Sequence, residues 1–571
     1  MVKWITSFFQ DLRKLLFARM ACLFGARTIT VKQHRNVARL AQHRWLLPFL
    51  RRTFMEDNIG KRNSALVKNN PCLFAYRRFS NAGSLAILSP SLNSPPACSD
   101  HSNLHWGMKI RQRYKEPWMM SDEEVRGLIT MHECEDSVQQ GIVGKYESNH
   151  LPSNNPTEDR RFVTRLLYDR NAFLFGVLDG HGGDSCAHNV SQRLPDYIGT
   201  ALLPQEILLG SEMTSYFSSK HLLQLNNSHN YYFRQDPVCY ENLKAFFLEQ
   251  SKIQRRHERM ALDPPTVTHL LESHAHHAGF IEAKEDQIFH TMKAISKAFL
   301  RLDDDLSHEI LSRGGDEETY ALRFQSALSG ACALVALIKG TELTIANCGD
   351  CRAVLGTQSE DGLWTALQLS NDHTASNPRE VQRVLNEHPA QEATTCLRND
   401  RLLGRLAPLR AFGDVRFKWS KNKQEEIIKE RGLTPLSQTK EFLTPPYLTA
   451  EPEVTSYQLQ PSHKFLILAT DGLWDMMSNQ EAVECVRDNI KRHYQGYNIT
   501  FKEQTPAEDP MQKYPYDLAN SASFLIRESL GGEDHVSVST SLSIPSPDVR
   551  MFRDDITIIV VHFDWTNVLL D

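Results

Sequence analysis

Acidic residues stand at the ends of three short apolar segments of the sequence. Asp179 follows the apolar residues of VLDGHGG, and Asp471 follows those of LATDGLWD. Asp554 and Asp555 come before the apolar residues of RDDITIIVV. If these segments are strands of antiparallel sheets, the end of one strand lies beside the beginning of its neighbour. The pattern therefore predicts that the acids meet at one edge of the sheets.

Carboxylates gathered at the rim of an apolar core repel one another, and their pKa values rise unless cations neutralise them. Divalent cations that prefer oxygen ligands, Mg²⁺ or Mn²⁺, suit such a set of groups. Zinc would favour histidine and cysteine ligands instead. We therefore expect a magnesium or manganese centre.

The hydrophobic pattern predicts the elements that must hold these acids. Short apolar segments bounded by turn residues predict strands at 173–178, 343–346, 464–470 and 556–561. Apolar residues at helical spacing predict a long amphipathic helix over 281–302. Ser121 followed by Glu124 has the spacing of a capping box, which predicts that a first helix begins there. Long helices that cover several strands indicate an α+β layered domain.

The N-terminal segment is strongly basic. Eleven Lys and Arg residues precede position 55, against a single acid, Asp11. An Arg-rich, acid-poor leader is typical of a mitochondrial transit peptide, which we place at residues 1–60. A secretory signal is the alternative for the moderately apolar residues 15–24, although Arg19 interrupts that run.

The rest of the chain divides by composition. Residues 61–115 are polar and have no sustained period, which predicts a disordered linker. We predict one folded domain at 116–566. Polar stretches within it predict insertions near 205–280, 418–442 and 490–550.

Composition excludes several classes of protein. The net charge of -5 argues against a nucleic-acid partner. The longest apolar runs, 329–338 and 465–469, fall short of the roughly 20 residues that a membrane-spanning helix needs, so we expect no membrane span. The 11 cysteines have no framework spacing, which indicates reduced thiols.

Eight motifs together resemble the protein phosphatase 2C family of metal-dependent serine/threonine phosphatases. They occur in the family's order between about residues 158 and 563: TEDRR, VLDGHGG, SGACALV, ANCGDCRAVLG, LSNDH, RAFGDV, LATDGLWD and RDDITIIVV. The segments DRLLGRLAPLRAFGDVRFKW and TPPYLTAEPEV are similar to the pyruvate dehydrogenase phosphatase branch. The basic leader is consistent with a mitochondrial member.

The resemblance implies a fold and a set of ligands. The fold is a central sandwich of two antiparallel β-sheets flanked by α-helices in four αββα layers, with a two-metal centre at one end. By motif position, Asp179 bridges both Mg²⁺ or Mn²⁺ ions, and Glu158 and the Gly180 carbonyl bind one of them. Asp471 and Asp554 bind the other; at this position Asp555 is the competing candidate. Further candidates implied for water-mediated or third-metal contacts are Asp159, Asp350 and Asp475.

The expected chemistry is attack of an activated water on phosphorus, with the metals neutralising the phosphoryl oxygens. His181 resembles the family's general acid, which protonates the departing serine oxygen; its alternative role is to order the loop by a hydrogen bond. Family members commonly carry an arginine that grips the phosphate four residues before the acidic pair, and Asn154 stands at that position. Arg160 and Arg161 are nearby candidates for phosphate binding or for solvated surface charge.

Other polar groups have simpler interpretations. Cys348 and Cys351 form a lone C-x-x-C whose spacing coincides with a family turn, which argues against a redox pair. We expect a solvated loop for the cluster His274, His276 and His277. We expect a polar helix end for the run Asp303, Asp304 and Asp305.

The branch resemblance implies a substrate and partners. The expected substrate is phosphoserine on the pyruvate dehydrogenase component in the mitochondrial matrix, and the lipoyl-bearing core of that complex is a further possible partner. Two alternatives stay open: a matrix phosphatase with another phosphoprotein substrate, and a catalytically silent scaffold of the same fold. A two-metal nuclease would use similar acids, but the acidic chain argues against it.

Overall fold

The structure is a computed structural model that describes residues 119–166, 168–209, 223–225, 236–262, 278–312, 316–430, 442–493 and 516–566. All of these belong to one compact unit, residues 87–571. The predicted transit peptide and linker lie outside the described residues, as does the histidine cluster at 274–277. The predicted domain boundaries therefore stay predictions.

Two antiparallel sheets form the centre of the described chain. Their strand orders are β1-β2-β15-β14-β8-β9 and β13-β7-β6-β4-β3-β5, and β12 pairs with β6 in the second sheet. The strands β10 and β11 form a small separate sheet. The strands are β1 (Cys134–Gln140), β2 (Val143–Leu151), β3 (Arg160–Leu166), β4 (Asp169–His181), β5 (Leu223–Leu225), β6 (Gly330–Lys339), β7 (Glu342–Cys348), β8 (Arg352–Gln358), β9 (Trp364–Gln368), β10 (Leu397–Arg398), β11 (Arg401–Leu402), β12 (Phe412–Gly413), β13 (Glu453–Gln458), β14 (His463–Ala469) and β15 (Ile556–Phe563).

The described chain also contains α-helices, several of which cover the outer faces of these sheets. They are α1 (Asp122–Ile129), α2 (Ser185–Ala201), α3 (Gln205–Leu209), α4 (Pro237–Leu262), α5 (Ala278–Glu309), α6 (Glu317–Leu328), α7 (Pro378–Glu387), α8 (Ala393–Cys396), α9 (Val415–Lys418), α10 (Lys421–Glu430), α11 (Asp471–Trp474), α12 (Asn479–His493), α13 (Ser521–Ser529) and α14 (His535–Ser543). Among the described helices, none combines the length and apolar character required to cross a bilayer.

Side-chain alternation along the strands builds the layers. Phe173, Phe175 and Val177 of β4 face the apolar core between the two sheets, which β14 and β15 also line. Leu174 and Leu178 face the opposite side, where α2, α4 and α5 pack. On the far side of the other sheet, α12 and α13 bury a further core. The predicted α+β sandwich of four αββα layers is thus confirmed.

The individual elements also agree with the pattern. The four predicted strands are β4, β7, β14 and β15, and the predicted long helix is α5. Ser121 and Glu124 form the predicted capping box at the start of α1: each side chain accepts a hydrogen bond from the other residue's backbone N–H.

The expectation of a polar helix end at Asp303–Asp305 was wrong. These residues lie inside α5, and Asp303 and Asp305 are buried. Asp303 accepts hydrogen bonds from Lys418 Nζ at 2.7 Å and from the Gly413 N–H at 2.9 Å. It therefore anchors the loop around β12 to α5. Charge alone did not reveal the partners, because they come from a distant part of the sequence.

Candidate active site

The end of β4 places Asp179 beside two neighbouring strands. Asp179 is opposite Cys332 in the β4–β6 register, and β4 continues through His181, so the acid lies within the strand's last residues. Asp350 follows β7, and its neighbour Gly349 is packed so tightly on Cys332 that a Cβ there would lie 2.3 Å from the cysteine sulfur. This packing brings Asp350 to the same sheet edge as Asp179.

The turn after β14 brings Asp471 to the beginning of β15. The Thr470 N–H donates to the Thr557 carbonyl at 3.1 Å, and the Thr557 N–H donates to the Thr470 hydroxyl at 3.0 Å. A Cβ on Gly472 would lie 2.0 Å from the Asp555 carbonyl oxygen, so only glycine allows this approach. The meeting of strand ends inferred from the sequence is realised here.

Glu158 and Asp159 enter the site from the segment before β3. A Cβ on Gly180 would lie 2.3 Å from the Glu158 carbonyl oxygen, which places the two backbones in contact. The Glu158 carboxylate accepts a hydrogen bond from the Gly183 N–H at 2.6 Å; Gly183 adopts a φ of +122°, which favours glycine. Asp159 is buried and accepts from the Thr470 hydroxyl at 2.9 Å.

Burial and mutual repulsion raise the pKa values of Asp179, Asp159 and Asp350. The pKa of Asp179 lies well above its ordinary value because of burial and the nearby carboxylates of Asp471, Asp159 and Asp350. Burial also raises the pKa of Asp159 well above its ordinary value, and Asp555 and Asp471 add to the rise. Burial together with Asp471 raises the pKa of Asp350 to about 7.

This donor set fits oxygen-loving divalent cations. Positive charge would stabilise the ionised carboxylates that burial and repulsion disfavour. Asp471 Oδ1 is buried and has no hydrogen-bond partner among the described residues. An orphaned carboxylate oxygen in an acidic cluster is an available metal ligand.

The two neighbouring aspartates before β15 have different partners. The Asp555 carboxylate accepts hydrogen bonds from the backbone N–H groups of Ser153, Asn154 and Glu158, and from the Thr157 hydroxyl at 3.0 Å. These donors hold the 153–158 segment and lower the pKa of Asp555 despite its burial. Asp555 is thus an anchor for Glu158, which leaves Asp554 as the better ligand candidate.

Asp475 lies one helical turn after Asp471, and its backbone N–H donates to the Asp471 carbonyl at 2.8 Å. Its side chain is exposed, whereas Asp179, Asp350 and Asp471 are at least partly buried. Its predicted contact to a third metal stays a prediction.

The candidates for phosphate binding have structural partners. The Asn154 amide donates to Glu158 Oε2 at 3.0 Å and to Asp555 Oδ2 at 3.1 Å. Arg160 pairs with Asp184 at 2.7 Å, and Arg161 donates to the His132 carbonyl at 2.7 Å. These contacts favour positioning roles for all three residues.

His181 has a partner that the sequence interpretation missed. Its Nε2 lies 2.5 Å from Oδ2 of Asp414, the residue after β12. Burial lowers the pKa of the imidazole, but the Asp414 carboxylate outweighs this effect, so the pKa is raised overall. The RAFGDV motif is recognisable in the sequence, but only the fold shows that its aspartate faces the histidine.

A second group of potential ligands lies outside this site. His388, Glu392 and Cys396 have side-chain atoms within 4.8 Å of one another. Both Glu392 oxygens already accept hydrogen bonds, from the Thr444 and Tyr447 hydroxyls. Burial raises the pKa of the Cys396 thiol to about 11, which keeps it protonated. This cluster is best explained as a hydrogen-bonded core.

The predicted non-catalytic role of the C-x-x-C motif fits the structure. Cys348 and Cys351 are buried free thiols on either side of the turn that carries Asp350. Burial raises the pKa of both thiols. Protonated thiols are poor nucleophiles and poor metal ligands.

A cluster of carboxylates beside a histidine whose pKa is raised, at one end of a two-sheet sandwich, suits a metal-dependent phosphatase. The profile of the protein phosphatase 2C family matches residues 263–510. The chain belongs to this family and is a metal-dependent protein serine/threonine phosphatase.

The relatives of the chain indicate which branch of this family it belongs to. The chain is 40% identical over 448 residues to mitochondrial pyruvate dehydrogenase (acetyl-transferring) phosphatase 1 of Bos taurus, covering 73% of this chain and 77% of the relative. It is 34% identical over 560 residues to the mitochondrial phosphatase 2 of Homo sapiens, covering 92% and 97%. A protein phosphatase 2C homologue of Schizosaccharomyces pombe is 40% identical over 448 residues, covering 75% and 82%. The chain thus belongs to the pyruvate dehydrogenase phosphatase branch.

Proposed function

We propose that this chain removes phosphate from phosphoserine on the pyruvate dehydrogenase component of the mitochondrial complex. The convergence of buried and half-buried carboxylates beside His181 carries the proposal for the reaction. The substrate is inferred from the relatives, because their printed names identify them as phosphatases of pyruvate dehydrogenase. Phosphothreonine is included in the substrate class.

The proposed ligands form two groups. Asp179 would contribute to holding both ions, Glu158 and the Gly180 carbonyl would hold one of them, and Asp471 and Asp554 would hold the other. Asp159 acts through water, and Asp350 and Asp475 serve a third, looser ion. Two Mg²⁺ or Mn²⁺ ions supply an activated water and neutralise the phosphoryl oxygens.

His181 is proposed to act as the general acid. Water adds its oxygen to phosphorus, and the bond from phosphorus to the serine oxygen breaks. Because Nε2 faces Asp414, the imidazolium gives its Nδ1 proton to that departing oxygen, so the products are serine and inorganic phosphate. Asp414 holds the imidazole in place and raises its pKa, which favours the protonated form. Asp414 is therefore a positioning residue.

The proposed location is the mitochondrial matrix, reached through the leader at residues 1–60. Support comes from the basic N-terminal composition and from the word mitochondrial in the relatives' names. The lipoyl-bearing core of the complex is proposed as a docking partner on the resemblance to the pyruvate dehydrogenase phosphatase branch alone.

The test compares phosphate release from phosphorylated pyruvate dehydrogenase and from an unrelated phosphoserine peptide of equal phosphate concentration. We expect release from both with Mg²⁺ or Mn²⁺, none with chelator, and a kcat/KM at least about tenfold higher for the dehydrogenase, or ~1.4 kcal/mol. Equal values would contradict the substrate assignment. No release from either by the folded, metal-supplied protein would contradict the enzymatic function and favour the scaffold alternative.

A further inference from the structure

Positively charged side chains near the carboxylate cluster are candidates for holding a phosphoryl group beside the metals. Five arginines lie within four positions of a predicted ligand: Arg160, Arg161, Arg352, Arg550 and Arg553. Arginine is well suited to the task because its planar guanidinium offers five N–H donors and binds phosphate in a bidentate manner.

Four of these arginines have structural partners. Arg160 pairs with Asp184 and also donates to the Thr157 carbonyl at 2.6 Å. Arg352 pairs with Asp372 and stacks on Trp474. Arg161 and Arg553 donate to backbone carbonyl oxygens, those of His132 and Pro152. Their guanidinium groups hold loops and strand ends together.

Arg550 differs from the others. Its side chain is 38% exposed, compared with 21% for Arg160 and 19% for Arg352. It forms an ion pair with Asp554, a predicted metal ligand, and its charge also acts on Glu158. Even a bidentate pair with the Asp554 carboxylate uses only two of the five N–H donors, so donors remain for a ligand.

The backbone holds Arg550 at the edge of the carboxylate cluster. It belongs to the 3-10 helix Asp548–Met551, whose Val549 side chain is buried. The Arg553 N–H donates to the Val549 carbonyl at 3.1 Å, which connects this turn to the residue before Asp554. The guanidinium is thus positioned by an anchored turn.

We propose that Arg550 binds a phosphoryl oxygen of the substrate beside the metal ligands. This inference rests on the proposed function and identifies the residue that replaces the arginine missing at position 154. Asn154 cannot bind the phosphate in this way, because its side-chain amide donates to Glu158 and Asp555. Arg550 reaches the same cluster from the opposite end of the domain sequence.

The test measures binding of inorganic phosphate to the full chain loaded with Mn²⁺, by titration calorimetry. A charge-assisted hydrogen bond is worth enough that Arg550→Ala should weaken phosphate binding by roughly 10- to 100-fold. Arg550→Lys keeps the positive charge but not the planar, bidentate guanidinium, so it should retain part of the phosphate affinity that Arg550→Ala loses. Arg255→Ala, which removes an exposed arginine of α4, is the matched control and should bind phosphate as the wild type does.

Mn²⁺ affinity separates phosphate binding from a merely structural role. Removing a cation beside Asp554 should leave Mn²⁺ binding unchanged or make it tighter, because the repulsion between cations is lost. The inference is overturned if Arg550→Ala binds phosphate normally, if it loses Mn²⁺ affinity in parallel, or if the wild type binds Mn²⁺ but no phosphate. Failure of the wild type to hydrolyse phosphoserine would contradict the proposed function instead, while the phosphate titration still tests Arg550.

Discussion

His181 and Asp414 are 233 positions apart in the sequence, yet the imidazole Nε2 lies 2.5 Å from the carboxylate Oδ2. Gly330 makes this contact possible, since a Cβ there would lie 2.1 Å from His181 Nε2 and 2.2 Å from Asp414 Oδ2. The pair connects the end of β4 with the loop after β12. It holds a histidine with a raised pKa next to the carboxylate cluster.

Asp414→Asn should move the alkaline limb of the kcat profile to lower pH. Asp414 raises the pKa of His181, so its loss lets the imidazole give up its proton at a lower pH. Above neutral pH we expect kcat for a phosphoserine peptide to fall roughly ten- to hundredfold. Steady-state rates from pH 6 to pH 9 measure the shift.

Leaving-group dependence provides the control for that prediction. An aryl phosphate with a good leaving group needs no proton, so Asp414→Asn should affect its hydrolysis far less. An equal loss for both substrates would show that Asp414 does not act through proton transfer.

Gly330→Ala should disrupt the histidine–aspartate pair directly. The added methyl group would collide with both side chains, and we expect kcat for phosphoserine to fall by about 100-fold. Gly127→Ala is a matched control, because its Cβ would meet nothing within 4 Å. It lies in α1 and should stabilise the fold by about 0.5–1 kcal/mol without changing activity. Chemical denaturation and rate measurements on both variants test these expectations. Full activity of Gly330→Ala would contradict a catalytic role for the His181–Asp414 contact.

Stabilisation by metal should depend on pH. Burial and Asp471 raise the pKa of Asp350 to about 7, above its value in the unfolded chain. In metal-free protein this carboxyl group therefore contributes stability at low pH that is lost as the pH rises through about 7. Mn²⁺ needs the ionised form, so protons compete with it below that pH.

Melting temperatures measured with Mn²⁺ and with chelator check this dependence. At 100 times its Kd, Mn²⁺ should add about 2.7 kcal/mol at pH 8 and clearly less at pH 6. A shift in Tm that is equal or larger at pH 6 would rule out carboxylates with raised pKa values as the metal ligands.

The ion pair between α2 and α5 should be important for stability. Arg193 Nη2 lies 2.6 Å from Glu309 Oε1, and both side chains are buried. Arg193→Ala leaves a buried carboxylate without its cation, so the free energy of unfolding should fall by about 3–5 kcal/mol. Replacing both residues, as Arg193→Met with Glu309→Leu, should restore part of this loss. A double variant less stable than Arg193→Ala would contradict the unpaired-charge explanation.

The sequence predicted well which acids lie at the sheet edge. Each acid lies within a residue or two of a strand, so the position of the strand determines the position of the acid. Asp179, Asp471 and Asp554 therefore occupy the edge that alternation and strand ends indicated. Asp350 was expected only from the resemblance, and the fold brings it to the same edge through the contact between Gly349 and Cys332.

Contacts between distant segments were not predictable in this way. Nothing in the sequence around Asp414 indicated that His181 is its partner. In the structure, Asp414 follows Gly413 in an unusual turn and has a left-handed backbone with a φ of 49°. Asp303 looked like a solvated helix end, but it is buried against Lys418. Arg550 showed no pattern at all, because it faces the site through a turn that only the fold defines.

The most direct test of the account is Mn²⁺ binding and phosphate release by the full chain and by Asp179→Asn, with the exposed Asp361→Asn as the control. We predict that the wild type and Asp361→Asn bind Mn²⁺ and release phosphate from a phosphoserine peptide. Asp179→Asn should remain folded by circular dichroism, bind Mn²⁺ at least about tenfold more weakly, and lose nearly all release. Normal Mn²⁺ binding and release by Asp179→Asn would contradict the placement of the metal centre at the end of β4.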